Sequence, residues 1–225
     1  MSIKAILTDI EGTTTDIKFV HNVLFPYARE QLETYVNTHQ NDEAVLAILD
    51  QARKEIGKPD ADQQTLIQCF IDWIDQDKKV TALKALQGLI WVEGYEQKAF
   101  TGHLYVDAYE NLKKWSAMGL SLNIFSSGSV KAQKLLFGYS DFGDLTPLFK
   151  GYFDTTTGHK REETAYRLIA EKMQFDATEI LFLSDIVEEL DAAKAAGMQT
   201  ILLARDSVAT SSTHPVVSSF DQISF

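Results

Sequence analysis

The 225-residue sequence holds one cysteine, Cys69, so no disulfide framework and no cysteine-built zinc cluster can be assembled from it. Cys69 lies in a helical apolar pattern, where a small buried hydrophobe is expected. Positive charge is scarce as well: the formal net charge is −11 and no Lys/Arg cluster exceeds a pair. That leaves no electrostatic footprint for a nucleic-acid backbone or an anionic membrane. No apolar run approaches the ~20 residues of a membrane span, and the chain enters a strand pattern at once with no signal-like segment. A cytoplasmic protein is expected. The five histidines have no metal-ligand spacing. With 45% hydrophobic and 24% charged residues, the composition is that of a soluble globular protein, either one large domain or one domain carrying an insert. An acidic protein that handles an anionic substrate must reverse the field locally, and a divalent metal with one or two placed lysines does so.

The stretch that organises the chain is Ile6-Leu7-Thr8-Asp9-Ile10-Glu11-Gly12-Thr13-Thr14-Thr15. An apolar run from Ile3 to Leu7 meets two carboxylates at i and i+2, then a glycine and three hydroxyl residues, the pattern of a buried strand that ends in a polar loop. Period-two spacing puts Asp9 and Glu11 on one side of the chain, so that one can attack or bind metal while the other handles a proton. The same pair can also be ordinary turn acids.

From Asp16 to about His103 the pattern turns helical. Four helices are expected: around Phe19 to His39, over Ala44 to Ile56 with Asn41-Asp42 as cap, over Gln63 to Asp77, and over Val80 to Phe100, interrupted at Gly88 and Gly94. Four helices with no strand between them read as a helical cap inserted after the first strand. The expected boundaries are 1–16 and 104–225 for an α/β core and 17–103 for the cap. The βα alternation then resumes, with Asp107 and Glu110 as a capping box for a helix through Met118, strands at Ser121 to Phe125, Ile180 to Leu183 and Thr200 to Leu203, and a short one near Gly151 to Asp154. The tail from Ser207 should loop before an edge segment at Val216-Val217. The expected fold is a Rossmann-like, doubly wound parallel sheet.

Three later junctions carry groups that can meet Asp9. Ser126-Ser127-Gly128-Ser129 lies between a strand and a helix, where hydroxyls and free N–H groups form an anion site, or simply a cap. Lys160 precedes a helix, where its charge opposes the macrodipole; facing a phosphate accounts for it, as does plain solvation. Asp185 ends another core strand and offers the hard oxygen that suits Mg²⁺. Glu189 can support it, and Glu188 reads as a helix-start acid.

The order of these loops resembles the haloacid dehalogenase superfamily over essentially the whole chain. Asp9-Ile10-Glu11-Gly12-Thr13-Thr14 stands in the first motif, with Ser126, Lys160 and Asp185 in the second, third and fourth. The sequence is more closely similar to the acireductone synthase family, the enolase-phosphatases of methionine salvage. The similarity lies in the Glu at position 11, in Phe125-Ser126-Ser127-Gly128-Ser129 followed by Ala132 to Gly138, and in Phe153-Asp154-Thr155 ahead of Gly158-His159-Lys160. The resemblance implies Asp9 as nucleophile and Glu11 as acid and base. It also implies Ser126 and the Ser127 backbone on phosphate oxygens, Lys160 on both Asp9 and the phosphoryl group, and Mg²⁺ held by Asp9, the Glu11 carbonyl and Asp185. The implied substrate is a small phosphorylated diketone, 2,3-diketo-5-methylthiopentyl-1-phosphate, enolised and then dephosphorylated. Phe19, Phe25, Trp91 and Tyr95 are candidates for a wall around its methylthio tail, and a monomer is expected. Rival readings are a phosphatase of another ester, a dehalogenase, and a noncatalytic binding protein on the same fold.

Overall fold

In this computed structural model residues 2–205 and 213–224 are described. The chain forms two compact units, one of Met1–Ile17 with Thr101–Phe225 and one of Lys18–Phe100. In order, the elements are β1 (Ala5–Thr8), α1 (Ile17–Phe19), a π-helical turn (Val20–Leu24), α2 (Phe25–Thr38), α3 (Glu43–Glu55), α4 (Gln63–Asp75) and α5 (Thr81–Glu96). They continue with α6 (Val106–Ala117), β2 (Ser121–Phe125), α7 (Val130–Gly138), β3 (Phe149–Phe153), α8 (Glu163–Met173), β4 (Ile180–Ser184), α9 (Val187–Ala195), β5 (Gln199–Leu203) and β6 (Val216–Val217). Among the described residues no helix is long and apolar enough to cross a membrane.

In the larger unit the six strands run parallel in the order β3-β2-β1-β4-β5-β6. All four residues of β1 and all five of β4 are buried, which is why these segments read as unbroken apolar runs. Leu7, Phe125, Tyr166, Ile169, Phe182 and Leu190 pack on one side of the sheet. After β1 the chain builds outward through β2 and β3, then returns to add β4 on the other side of β1. The crevice beyond the carboxyl ends of β1 and β4 is therefore the topological switch point, where open α/β sheets bind ligands.

The smaller unit is helical, with a core that includes Leu32, Leu49, Leu66, Phe70 and Leu86. Asp62 caps α4 by accepting from the Thr65 N–H at 2.8 Å, and Pro26 sits in the first turn of α2, directly after the π-helical turn. Cys69 is half-buried rather than fully enclosed.

Several local expectations differ from the structure. The capping box at Asp107 does not form: Tyr105 is the N-cap of α6, and the Asp107 carboxylate turns to Arg205, Ser219 and the Phe220 N–H. A charged partner and two further donors outbid a local cap. Asp42 begins α3, but its carboxylate meets the His39 ring at 2.7 Å instead of a helix N–H. The expected loop from Ser207 lies, as far as residue 212, outside the described residues; β6 stands where the edge segment was expected.

Helix α5 runs unbroken through both its glycines, because their neighbours differ. A Cβ on Gly94 would fall 2.6 Å from the Phe100 ring and 2.7 Å from the Tyr27 ring, whereas one on Gly88 would meet nothing within 4 Å. Gly94 thus lets Tyr27 and Tyr95 close edge-on against Phe100, with centroids 4.9 and 4.6 Å apart. The two alanine variants should move urea midpoints in opposite directions. Gly88→Ala is expected to stabilise by about 0.5–1 kcal/mol through helix propensity. Gly94→Ala is expected to destabilise by about 1–3 kcal/mol through overpacking.

Candidate active site

Strand register brings the expected residues to one rim. Thr8 is level with Ile124 of β2 and with Leu183 of β4, so the loops that carry Asp9, Ser126 and Asp185 leave the sheet together. The Asp9 N–H donates to the Leu183 carbonyl at 2.9 Å and the Ser126 N–H to the Phe153 carbonyl at 3.2 Å, which extends the ladder into the loops.

Lys160, 6% exposed, puts its Nζ 2.5 Å from Asp9 Oδ1 and 2.7 Å from Glu189 Oε2. The lysine is buried and neutralises two carboxylates, one from the loop after β1 and one from the first turn of α9, so more than the helix dipole acts on it. Burial by itself would lower its pKa, but the charges of Asp9 and Glu189 outweigh that and raise it. Glu189 also accepts from Ser184 Oγ at 3.0 Å, while Glu188 is an exposed first-turn acid. Ser126 is fully buried; its Oγ donates to Glu11 Oε2 at 3.1 Å and accepts from the Gly128 N–H at 3.1 Å. Ser127 is exposed and, among the described residues, forms no hydrogen bond to the other five expected site residues.

Four carboxylates, of Asp9, Glu11, Asp185 and Glu189, thus lie in the field of one ammonium, which bonds directly to Asp9 and Glu189. Burial, and after it the Asp9 charge, raises the pKa of Glu11, of Glu189 and of Asp185, the last to about 7. Gly12 makes this crowding possible. Its φ is +78°, and a Cβ there would fall 2.6 Å from the Asp185 carboxyl carbon. Asp185 Oδ1 is buried without a hydrogen-bond partner among the described residues. An orphaned carboxylate oxygen beside a second carboxylate suits a hard divalent cation. No three His, Cys, Asp or Glu side chains among the described residues are arranged to hold a metal. A cation here would therefore draw its other donors from backbone carbonyls, water and substrate, which is how Mg²⁺ is usually bound.

Buried side chains whose role the sequence did not reveal pin the loops that carry Ser126 and Lys160 through their backbone. Tyr166, wedged between Phe125 and Phe182, donates its hydroxyl to the Lys160 carbonyl at 2.7 Å. Gln133 Nε2 donates to the Gly128 carbonyl at 2.9 Å and the Phe153 carbonyl at 2.8 Å. Asp154 accepts from the Val130 and Thr156 N–H groups at 3.1 and 2.9 Å. Gln133 and Asp154 stand inside segments that carried the family resemblance, whereas Tyr166 gives no signal beyond its helical spacing. Of the aromatic candidates, Phe19 and Tyr95 are buried in the helical unit, and Phe25 stacks on Trp91 with centroids 6.4 Å apart.

Fold and site together define a hydrolase of the haloacid dehalogenase-like class, and the haloacid dehalogenase-like hydrolase family matches residues 3–197. The Enolase-phosphatase E1 of Erwinia tasmaniensis is 55% identical over 221 residues, 98% of this chain and 96% of that protein. The Enolase-phosphatase E1 of Serratia proteamaculans is 56% identical over the same shares. The crystal structure of the UTR4 protein of Saccharomyces cerevisiae matches with a TM-score of 0.84 at 35% identity, covering 99% of this chain and 100% of that one. A dehalogenase structure, with a TM-score of 0.59 at 18% identity, shares the fold alone. The chain belongs to the enolase-phosphatase family of haloacid dehalogenase-like hydrolases.

The raised pKa of Asp185 has a direct consequence for the metal-free protein. Its folded value of about 7 exceeds the usual 3.8, so the folded state holds the proton more tightly than the unfolded state. Stability should therefore fall as pH rises from about 4 to about 7, by on the order of 2 kcal/mol from this group. Urea unfolding in excess chelator at pH 5 and pH 7.5 should show that loss in the native protein and a clearly smaller one in Asp185→Asn.

Proposed function

We propose that the protein is an acireductone synthase of methionine salvage. It enolises 2,3-diketo-5-methylthiopentyl-1-phosphate and then removes its phosphate, giving 1,2-dihydroxy-3-keto-5-methylthiopentene. The observation that carries the reading is the separate anchoring of two carboxylates two residues apart: Lys160 holds Asp9 at 2.5 Å, and Ser126 holds Glu11 at 3.1 Å. The first lies against an ammonium as the nucleophile, while the other, with its pKa raised by burial and the Asp9 charge, can carry a proton.

In the phosphatase step an Asp9 oxygen attacks phosphorus in line, the ester P–O bond breaks, and Glu11 gives its proton to the departing oxygen. Water then attacks the aspartyl phosphate, Glu11 takes the water's proton, and phosphate leaves with Asp9 regenerated. Lys160 offsets charge on Asp9 and the phosphoryl oxygens, and Ser126 with the Ser127 N–H orients those oxygens. In the enolisation step Glu11 removes the proton next to a carbonyl, the C–H electrons form the carbon–carbon double bond, and the carbonyl oxygen becomes an enolate oxygen that takes a proton from solvent. The Glu11 side chain is about 1.5 Å longer than an aspartate's, which supports reach to both positions. Asp9, Asp185 and the Glu11 carbonyl would hold Mg²⁺, which would supply positive charge for the oxygens that become negative in both steps. The helical unit is read as the cap. A monomeric, cytoplasmic enzyme completes the proposal; the exposed large apolar residues Leu46, Val106 and Leu168, which lie on three different helices, α3, α6 and α8, support the monomer.

Phosphate release from the diketone ester should exceed that from a panel of sugar phosphates, and a preference for a sugar phosphate would overturn the substrate assignment. Chelator should abolish release and added Mg²⁺ should restore it. Asp9→Asn should lose more than about 10³-fold in phosphate release. Glu11→Gln should lose about 10²- to 10⁴-fold in release. If Glu11→Gln still enolises normally by ultraviolet absorbance, Glu11 is not the enolisation base.

A further inference from the structure

The Glu11 loop is tied down from a distant part of the chain. Residues 10–15 fold on themselves: the Thr13, Thr14 and Thr15 N–H groups converge on the Ile10 carbonyl at 3.1, 2.9 and 3.0 Å, and the Gly12 N–H donates to the Thr15 carbonyl at 2.7 Å. The Thr14 carbonyl accepts from the Tyr105 N–H at 2.9 Å. The buried Thr13 carbonyl takes no backbone donor among the described residues; its partners are Nε and Nη2 of Arg205, at 3.1 and 2.8 Å.

Arg205 follows β5, nearly two hundred residues further along the chain. Its guanidinium lies 4.2 Å over the Tyr105 ring and 5.2 Å from the Phe220 ring, and Nη1 pairs with Asp107 Oδ2 at 2.6 Å. That oxygen also accepts from Ser219 Oγ and the Phe220 N–H, at 2.9 and 2.7 Å, so the aspartate is itself held on three sides. The fork is thus oriented before it reaches the loop, and two more of its five N–H donors, on Nε and Nη2, are spent on one carbonyl two residues beyond Glu11. A lysine in this place would offer the charge without the fork.

We propose that Arg205 is a positioning residue for Glu11: by clamping the Thr13 carbonyl it fixes the turn from which the Glu11 carboxylate reaches Ser126. The inference rests on the reading of Glu11 as the acid and base. It predicts that losing the clamp harms the proton-transfer group and leaves the strands beneath it intact. An ordinary structural staple would instead lower stability without discriminating between Glu11 and the rest of the site.

Two measurements on the full-length protein test it. Amide hydrogen exchange in Arg205→Met should be at least about tenfold faster over residues 12–15 than in the native protein, with β1 and β4 unchanged. Unchanged exchange in the loop, or equal acceleration throughout the sheet, overturns the proposal. Arg205→Lys, milder should the methionine variant fold poorly, should fall between the two. In a double-mutant cycle read by kcat for phosphate release, Arg205→Met should cost about 10- to 100-fold in the native background. It should cost less than about threefold in Glu11→Gln, because the group it aligns is already gone. Equal losses in both backgrounds, or a lowered melting temperature with kcat unchanged, overturn the assignment. A native protein that releases no phosphate from the diketone ester would overturn the substrate reading, while hydrogen exchange, which needs no turnover, still decides the clamp.

Discussion

The Lys160 ammonium lies between the carboxylates of Asp9 and Glu189, at 2.5 and 2.7 Å, in a place nearly closed to water. Desolvating charges is expensive, and a buried ion pair is tolerable only when geometry and further hydrogen bonds compensate. Here the compensation is incomplete, because Glu11 and Asp185 add negative charge that one lysine cannot balance. The acids respond with raised pKa values, and Asp185 keeps an orphaned oxygen. This imbalance costs stability in the isolated chain. It also makes the site receptive to a divalent cation and to a proton on Glu11, the two things that the proposed chemistry requires.

Holding so many like charges together demands a rigid frame, and the frame is largely backbone. Parallel register delivers the loops after β1, β2 and β4 to one rim, and the left-handed Gly12 lets the first loop pass against Asp185 where a side chain would collide with it. Tyr166, Gln133, Asp154 and Arg205 then take up loop carbonyls and N–H groups that the sheet no longer satisfies. Leaving such groups unpaired in a buried site is costly, so these side chains limit the conformations that each catalytic loop can adopt.

Much of this was legible in the chain. Buried parallel strands read as short apolar runs, helices as stripes at helical spacing, and Asp9, Glu11, Ser126 and Asp185 stood out as polar residues placed where such runs stop, with Lys160 ahead of a helix. What misled was local chemistry with more than one outlet. Asp107 has the spacing of a capping box, yet its carboxylate is taken by Arg205, Ser219 and Phe220. Gly88 and Gly94 look like breaks, yet α5 passes through both. The residues around Lys160 left open whether it faces a phosphate or solvent; the family resemblance implied Asp9 as a partner, and Glu189 is the one it did not supply.

The sequence by itself determined the alternation of strand and helix, the succession of helices after the first strand, and the identity of the chemical groups, because period, capping and charge are properties of neighbours along the chain. Only the tertiary structure decided which carboxylate meets which cation, that Glu189 joins Lys160, and that Arg205 closes on Thr13. Those pairings depend on strand order and on the desolvation of groups up to two hundred residues apart, and no short-range pattern encodes either.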